Sequence, residues 1–323
     1  MDSGPKPTET TALDTRRGWL DMAEVGTLLG VRFVAGLGSL FGRSAARAFV
    51  AILALYFTLR RSDLRKWSRA YLRRMGHAHD FAAIYAHIRA FADTAVDRLF
   101  LIQGQFQRYR FTQSGHEHML RLKREGRGAI LLGAHLGSFE AMRTRSDAHD
   151  IPLNVVGYFR NAARINSVLQ QLNPTLNVRL IEVAPESPAF VLKIKERIEA
   201  GELVAILGDR VGHGAKTEVR FLGGRVELPT GPYALAAVLG CPIYLTFGLY
   251  RAPRSYDLYC ELFAEKVVLS RKRRQRELND YAQRYAERLE HYCRLAPDNW
   301  FNFYDYWLPE GDDAAGTRPS SAP

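Results

Sequence analysis

His135 ends an apolar run, Gly128-Ala129-Ile130-Leu131-Leu132-Gly133-Ala134, and is followed by Leu136, Gly137, Ser138, Phe139 and Glu140. The run has the length of a buried strand, and Glu140 opens a helical pattern. Ligands of an open α/β sheet bind beyond the C-terminal ends of its strands, so this histidine would face a crevice. An imidazole exchanges protons near neutral pH, which suits it to take one from an alcohol. A carboxylate bound to its other nitrogen would fix the tautomer and stabilise the imidazolium. Glu140 is five residues on, about 140° around an ideal helix, so the two meet only if the segment turns, which Gly137 permits. The same residues equally describe a capping histidine beside a surface glutamate, and at this point both readings stand.

Two further places hold charged groups where a strand is expected to end. Asp209 and Arg210 follow the apolar run Leu203 to Gly208. They are either site groups or an ion pair that buttresses a loop. Arg160 follows the run Asn154 to Tyr158. Its guanidinium would grip a phosphate bidentately or make a surface salt bridge. Other signatures are missing. No Gly-rich loop ends in Gly-Lys-Ser/Thr and no Gly-x-Ser-x-Gly elbow occurs. Gly36 to Gly42 follows no strand, and His116-Glu117-His118 lacks a metal-protease spacing. Cys241, Cys260 and Cys293 are far apart and odd in number, which speaks for reduced thiols and against a disulfide framework or zinc site. No metal or organic cofactor is expected.

The elements that must position these residues fall into zones. Residues 1–17 and 310–323 read as tails. Residues 18–100 read as a helical, amphipathic, membrane-associating region. Phe81, Ile84, Tyr85, Ile88, Ala92, Ala95 and Leu99 recur at helical spacing. Before them comes a basic cluster of Arg60, Arg61, Arg65, Lys66, Arg69, Arg73 and Arg74. Two uncharged stretches precede it, ten residues from Phe33 to Gly42 and twelve from Ala48 to Leu59. Each falls short of the ~18–20 apolar residues of a spanning helix. Joining them would carry Arg43 and Arg47 through the bilayer at ~2.5–3.5 kcal/mol each, so an interfacial helix or helical hairpin is expected. Residues 101–309 read as an α/β domain. Strand-like runs at 129–134, 154–158, 178–183, 203–207 and 243–247 alternate with helical patterns at 188–200 and 233–239, and a long helix follows. The pattern predicts a central mixed, mainly parallel sheet flanked by helices. The uncharged stretch Leu228 to Tyr250 contains Pro232, Gly240 and Pro242 and reads as a buried helix followed by a buried strand.

Of 323 residues, 47% are hydrophobic and 24% charged, which excludes a disordered or fibrous chain. Forty-five Lys and Arg against 34 Asp and Glu leave a net charge of +11. Such a surplus favours an anionic partner: nucleic acid, an acidic protein or an anionic membrane. No nucleic-acid recognition module is present, so no nucleic-acid partner is expected.

The segment Ala134-His135-Leu136-Gly137-Ser138-Phe139-Glu140 resembles the His-x-x-x-x-Asp/Glu motif of glycerolipid and lipid A acyltransferases. Around it the chain is similar to the branch of late lipid A acyltransferases and phosphatidylinositol-mannoside acyltransferases. Met22 to Thr27, Tyr158 to Asn161, and Leu207-Gly208-Asp209-Arg210 with Phe221 to Gly224 and Pro229 to Pro232 occur in the order that branch shows. The resemblance covers most of residues 18–307. It implies direct transfer of a fatty acyl chain from an acyl carrier protein or acyl-CoA thioester to a hydroxyl of a lipid or glycolipid. It sets Ser138 aside as a covalent nucleophile. His135 and Glu140 would be catalytic, Arg160, Asp209 and Arg210 substrate-binding, and the place of work the cytoplasmic face of a bacterial inner membrane. A pigment or polyene-type acceptor, and a basic membrane adaptor that merely keeps the fold, are the rival readings. The run Trp300-Phe301-Asn302-Phe303-Tyr304-Asp305-Tyr306-Trp307 reads as a core cap or as a lipid contact, the core reading being favoured.

Overall fold

The computed structural model describes residues 28–148, 151–157, 178–183, 189–212 and 214–309. Both tails, the Met22 to Thr27 block and Arg160 lie outside these residues.

Three helices lead: α1 (Leu28–Arg60), α2 (Ser62–Arg74) and α3 (Phe81–Ile102). The helical path of α1 breaks at Gly42, where φ is 80° and ψ 172°. Asp80 starts α3 by accepting the backbone N–H of Ala83 at 2.9 Å. The sheet begins with β1 (Arg110–Ser114), followed by α4 (His116–Glu125), β2 (Ala129–Gly133) and α5 (Phe139–Ala148). Next come β3 (Leu153–Gly157), β4 (Val178–Glu182), α6 (Ala189–Glu199) and β5 (Leu203–Leu207). A hairpin of β6 (Lys216–Phe221) and β7 (Gly224–Pro229) precedes α7 (Gly231–Leu239), β8 (Ile243–Arg251), β9 (Ser255–Ala264) and the long α8 (Arg274–Leu295).

The central sheet has seven strands in the order β1-β9-β8-β2-β5-β3-β4. Neighbours are parallel except β8 and β9, so the expected mixed, mainly parallel α/β sheet is present. Every residue of β2 is buried, as a strand covered by helices on both faces must be. One face carries Ile130, Leu132, Val204 and Leu245 in a core with Tyr285, Leu289 and Trp300. The other carries Leu131, Leu153, Ala205, Tyr244 and Cys260 with Leu122 of α4. A third core joins Ala46 and Val50 of α1 and Phe100 of α3 to Tyr256 of β9 and Phe301, so the leading helices are packed onto the sheet. The stretch from Leu228 to Tyr250 is a helix followed by a strand, as its breakers predict.

After α8 the chain turns through Pro297–Asn299 and runs as a closing segment, 300–309, across the sheet's upper edge. Leu136 pairs with Trp300, and Gly137 with Gly248 of β8. Trp300 is fully buried and Phe301 and Tyr306 nearly so; the aromatic run is core.

Candidate active site

Gly133 of β2 is paired with Leu207 of β5, and His135 and Asp209 each stand two residues beyond. Parallel register thus brings together two residues 74 positions apart. His135 Nδ1 lies 2.8 Å from Asp209 Oδ1. The backbone N–H of His135 donates to Asp209 Oδ2 at 3.0 Å. Asn302 Nδ2 donates to the same oxygen at 2.8 Å, and the Tyr306 hydroxyl to the Asp209 carbonyl at 2.7 Å. Asp209 is completely buried. Burial pushes its pKa up, but His135, Arg210 and Asn302 outweigh that and hold it at about 2. An ionised carboxylate only accepts, so Nδ1 carries the proton and Nε2 the lone pair. Nε2 has no hydrogen bond among the described residues, and the His135 side chain is 27% exposed. Burial lowers the His135 pKa below its ordinary value; Asp209 pulls it back up and Arg210 adds to the lowering.

Backbone contacts fix the loop that carries His135. Phe301 N–H donates to the His135 carbonyl at 2.8 Å, Gly137 N–H to the Asn299 carbonyl at 2.8 Å, and Ser138 N–H to the Gly248 carbonyl at 2.7 Å. Gly137 has φ 69°, and a Cβ there would stand 2.0 Å from the Gly248 oxygen. No side chain fits, so the turn expected at Gly137 needs glycine twice over. Ser138 Oγ, buried, accepts the Ala141 N–H at 3.2 Å as a cap for α5.

An imidazole with an ionised aspartate behind it and a lone pair at the sheet's C-terminal edge has the geometry to act as a general base towards a hydroxyl. Residues 20–308 match the family of bacterial lipid A biosynthesis acyltransferases. The chain belongs to that family. Comparison with curated proteins finds no match. For an acyltransferase acting on lipids, the remaining candidates sort by their contacts.

Glu140 does not meet His135. On the first turn of α5, its Oε2 accepts Arg143 Nε at 2.8 Å and its Oε1 accepts Arg98 Nε at 3.1 Å. The carboxylate expected behind the imidazole is supplied by Asp209, because strand register rather than a local turn brings it there. Arg210 is turned to the closing segment. It donates from Nε to Asn302 Oδ1 at 2.6 Å and from a terminal nitrogen to the Phe301 carbonyl at 3.0 Å, with Tyr304 5.7 Å below its guanidinium. It braces the amide that holds Asp209. Asn302 and Tyr306 were not singled out in the sequence as site residues. Their signal was Asn302, the one amide in an aromatic run. Among the described residues no group of three or more His, Cys, Asp or Glu could hold a metal.

Proposed function

We propose that the chain transfers a fatty acyl group from a carrier-protein or coenzyme A thioester to a hydroxyl of a lipid or glycolipid acceptor, at the cytoplasmic face of a bacterial inner membrane. The acceptor would be of the late lipid A or phosphatidylinositol-mannoside kind. The observation that carries this is the His135 Nδ1–Asp209 bond with Nε2 left open, in a chain of an acyltransferase family. His135 Nε2 takes the acceptor's hydroxyl proton as its oxygen attacks the thioester carbonyl. The C–O bond forms, the C–S bond breaks, and the proton passes to the leaving thiolate. Asp209 stabilises the imidazolium in between. Arg160, three residues past β3, is the candidate for a phosphate of donor or acceptor. The net charge of +11 suits an acidic carrier protein and an anionic bilayer alike. A lone adaptor function would not need a buried ionised aspartate behind an open imidazole.

The test is turnover with purified protein, acyl-carrier-protein and acyl-CoA donors, and extracted lipid acceptors. His135→Ala abolishes transfer, and Asp209→Asn lowers kcat by ~10²–10⁴, while both remain folded by melting curve. Near-normal turnover in His135→Ala overturns the mechanism.

A further inference from the structure

The Glu140 carboxylate, turned away from His135, holds two arginines at the catalytic edge of the sheet. Arg143 is buried and binds Oε2 through Nε at 2.8 Å. Arg98 of α3 binds Oε1 through Nε at 3.1 Å, and its side chain is 55% exposed. A guanidinium held at Nε turns its two terminal nitrogens away from the carboxylate as a pair of parallel donors. Those of Arg98 have no hydrogen bond among the described residues. Arg43, Arg47 and Arg89, where α1 packs on α3, all use theirs, on Asp97, Asp93 and Tyr85. Arg98 also ends an exposed stripe of α3, Phe91–Ala95–Arg98, whose spacing of four and three residues puts it on one helix face. Both ends of the stripe reach the loop that carries His135. Phe91 lies against Phe301 with ring centroids 5.4 Å apart, and the Phe301 N–H holds the His135 carbonyl. Arg98 holds Glu140, which is five residues past His135, at most about 18 Å of chain. The stripe itself is about 10 Å long. It borders the catalytic loop, apolar at one end and cationic at the other.

An exposed fork pinned from behind suits a phosphate, which takes two parallel N–H bonds from one guanidinium. We propose that Arg98 grips a phosphate of a substrate bound at His135, and that Glu140 is the residue that positions it. Either partner in the transfer can bring that group: the thioester donor in its pantetheine phosphate, or the lipid acceptor in its headgroup. The inference rests on the acyl-transfer reading above and deepens it. It gives Glu140 a task on the first turn of α5 that needs no contact with the imidazole, and it places a phosphate grip on α3, separate from Arg160.

The experiment titrates donor and acceptor separately with purified wild-type, Arg98→Ala, Arg98→Lys and Glu140→Ala protein. Loss of the fork raises the KM for the phosphate-bearing substrate roughly ten- to hundred-fold, the scale of hydrogen bonds to a charged group, with kcat nearly unchanged. A rise confined to the donor or to the acceptor identifies the source of the phosphate. Arg98→Lys recovers only part of the loss, since a point charge lacks the fork. Glu140→Ala raises the same KM, and adding Arg98→Ala to it raises that KM no further. Arg98→Ala melts as the wild type does, because a half-exposed ion pair contributes little to stability. Wild-type KM values for both substrates in Arg98→Ala overturn the proposal, as does a loss confined to vesicle binding. A wild-type KM in Glu140→Ala alone removes the positioning role. Calorimetric titration of coenzyme A and of a short-chain phosphatidic acid into His135→Ala protein, with and without Arg98→Ala, gives a readout independent of catalysis. Wild-type protein that transfers nothing, together with binding of either probe that Arg98→Ala weakens at least tenfold, refutes the reaction and keeps the site. Equal binding of both probes with and without Arg98→Ala refutes the site.

Discussion

A general base works only in its neutral form, and for His135 in the proposed role the surroundings favour that form. Burial and Arg210 lower its pKa, while Asp209 opposes them. The acid limb of the kcat/KM profile therefore falls below pH 6.5, the ordinary value for histidine. Arg210→Gln removes a repelling charge and moves the limb to higher pH. Asp209→Asn removes an attracting charge and moves it lower, with the loss of rate already stated. A limb that stays put in both variants would mean that some other group titrates. Glu140 separates from Asp209 in the same assay. Buried with Arg143 and tied to Arg98, it joins α5 to α3. Glu140→Ala leaves Arg143 without that carboxylate, so its melting temperature falls by several degrees while the pH limb of the folded enzyme is unmoved.

The helix α1 carries two arginines that sequence arithmetic treats as an obstacle to a membrane span, and the structure shows where they go. Arg43 donates from Nε and a terminal nitrogen to the two oxygens of Asp97, at 2.7 and 2.8 Å. Tyr109 and Tyr256 add their hydroxyls to that carboxylate. Arg47 reaches Asp93 at 2.7 Å and Tyr250 at 2.8 Å. Gly42–Arg60 is long and apolar enough to cross a bilayer by length and composition, but these pairs pin its first turns to the enzyme. What remains outward is Ile52, Leu53, Leu55, Tyr56 and Leu59, followed on α2 by exposed Lys66, Arg69 and Arg73. On the proposed membrane reading, that face would lie in the membrane surface. Binding to vesicles should need anionic lipid and weaken with salt. Leu55→Glu with Leu59→Glu should release the protein without changing its melting temperature. Release by detergent alone would show a true span. The partners Asp93 and Asp97 were not legible, since a helical pattern of apolar residues says nothing about which acids lie between them. The strands divide the same way. β2, β5 and β8 are visible as apolar runs because both faces are covered. β1 and β9 alternate buried with less buried positions, and β6 and β7 form a small separate hairpin, so none of the four stands out by composition.

Across the whole molecule, the closing segment ties distant parts together. His87 of α3, buried, bonds Ser68 of α2 at 2.9 Å through Nδ1 and the Trp300 carbonyl at 2.9 Å through Nε2. Burial lowers its pKa to about 4, with the Trp300 carbonyl pulling back up. An unfolded chain takes up that proton near pH 6.5, so the stability His87 contributes is whole above that pH. It is lost as the pH falls towards 4, amounting to about 3 kcal/mol over the window. Urea titrations at pH 7 and 4.5 check this: His87→Gln should flatten the difference by about that amount, and an equal loss in both proteins would assign it elsewhere. Sequence reading found His135 and Asp209 separately but not their bond, because the pairing of β2 with β5 is a tertiary fact. Asn302 lies 93 positions beyond Asp209 and was hidden for the same reason. This dependence on residues 300–306 also sets an order of events during synthesis. A ribosome that has made the base and its aspartate has not yet made the amide and hydroxyl that hold the aspartate in place. A partly made chain therefore lacks a finished site, and acyl transfer waits until residue 306 has emerged and the edge of the sheet is closed.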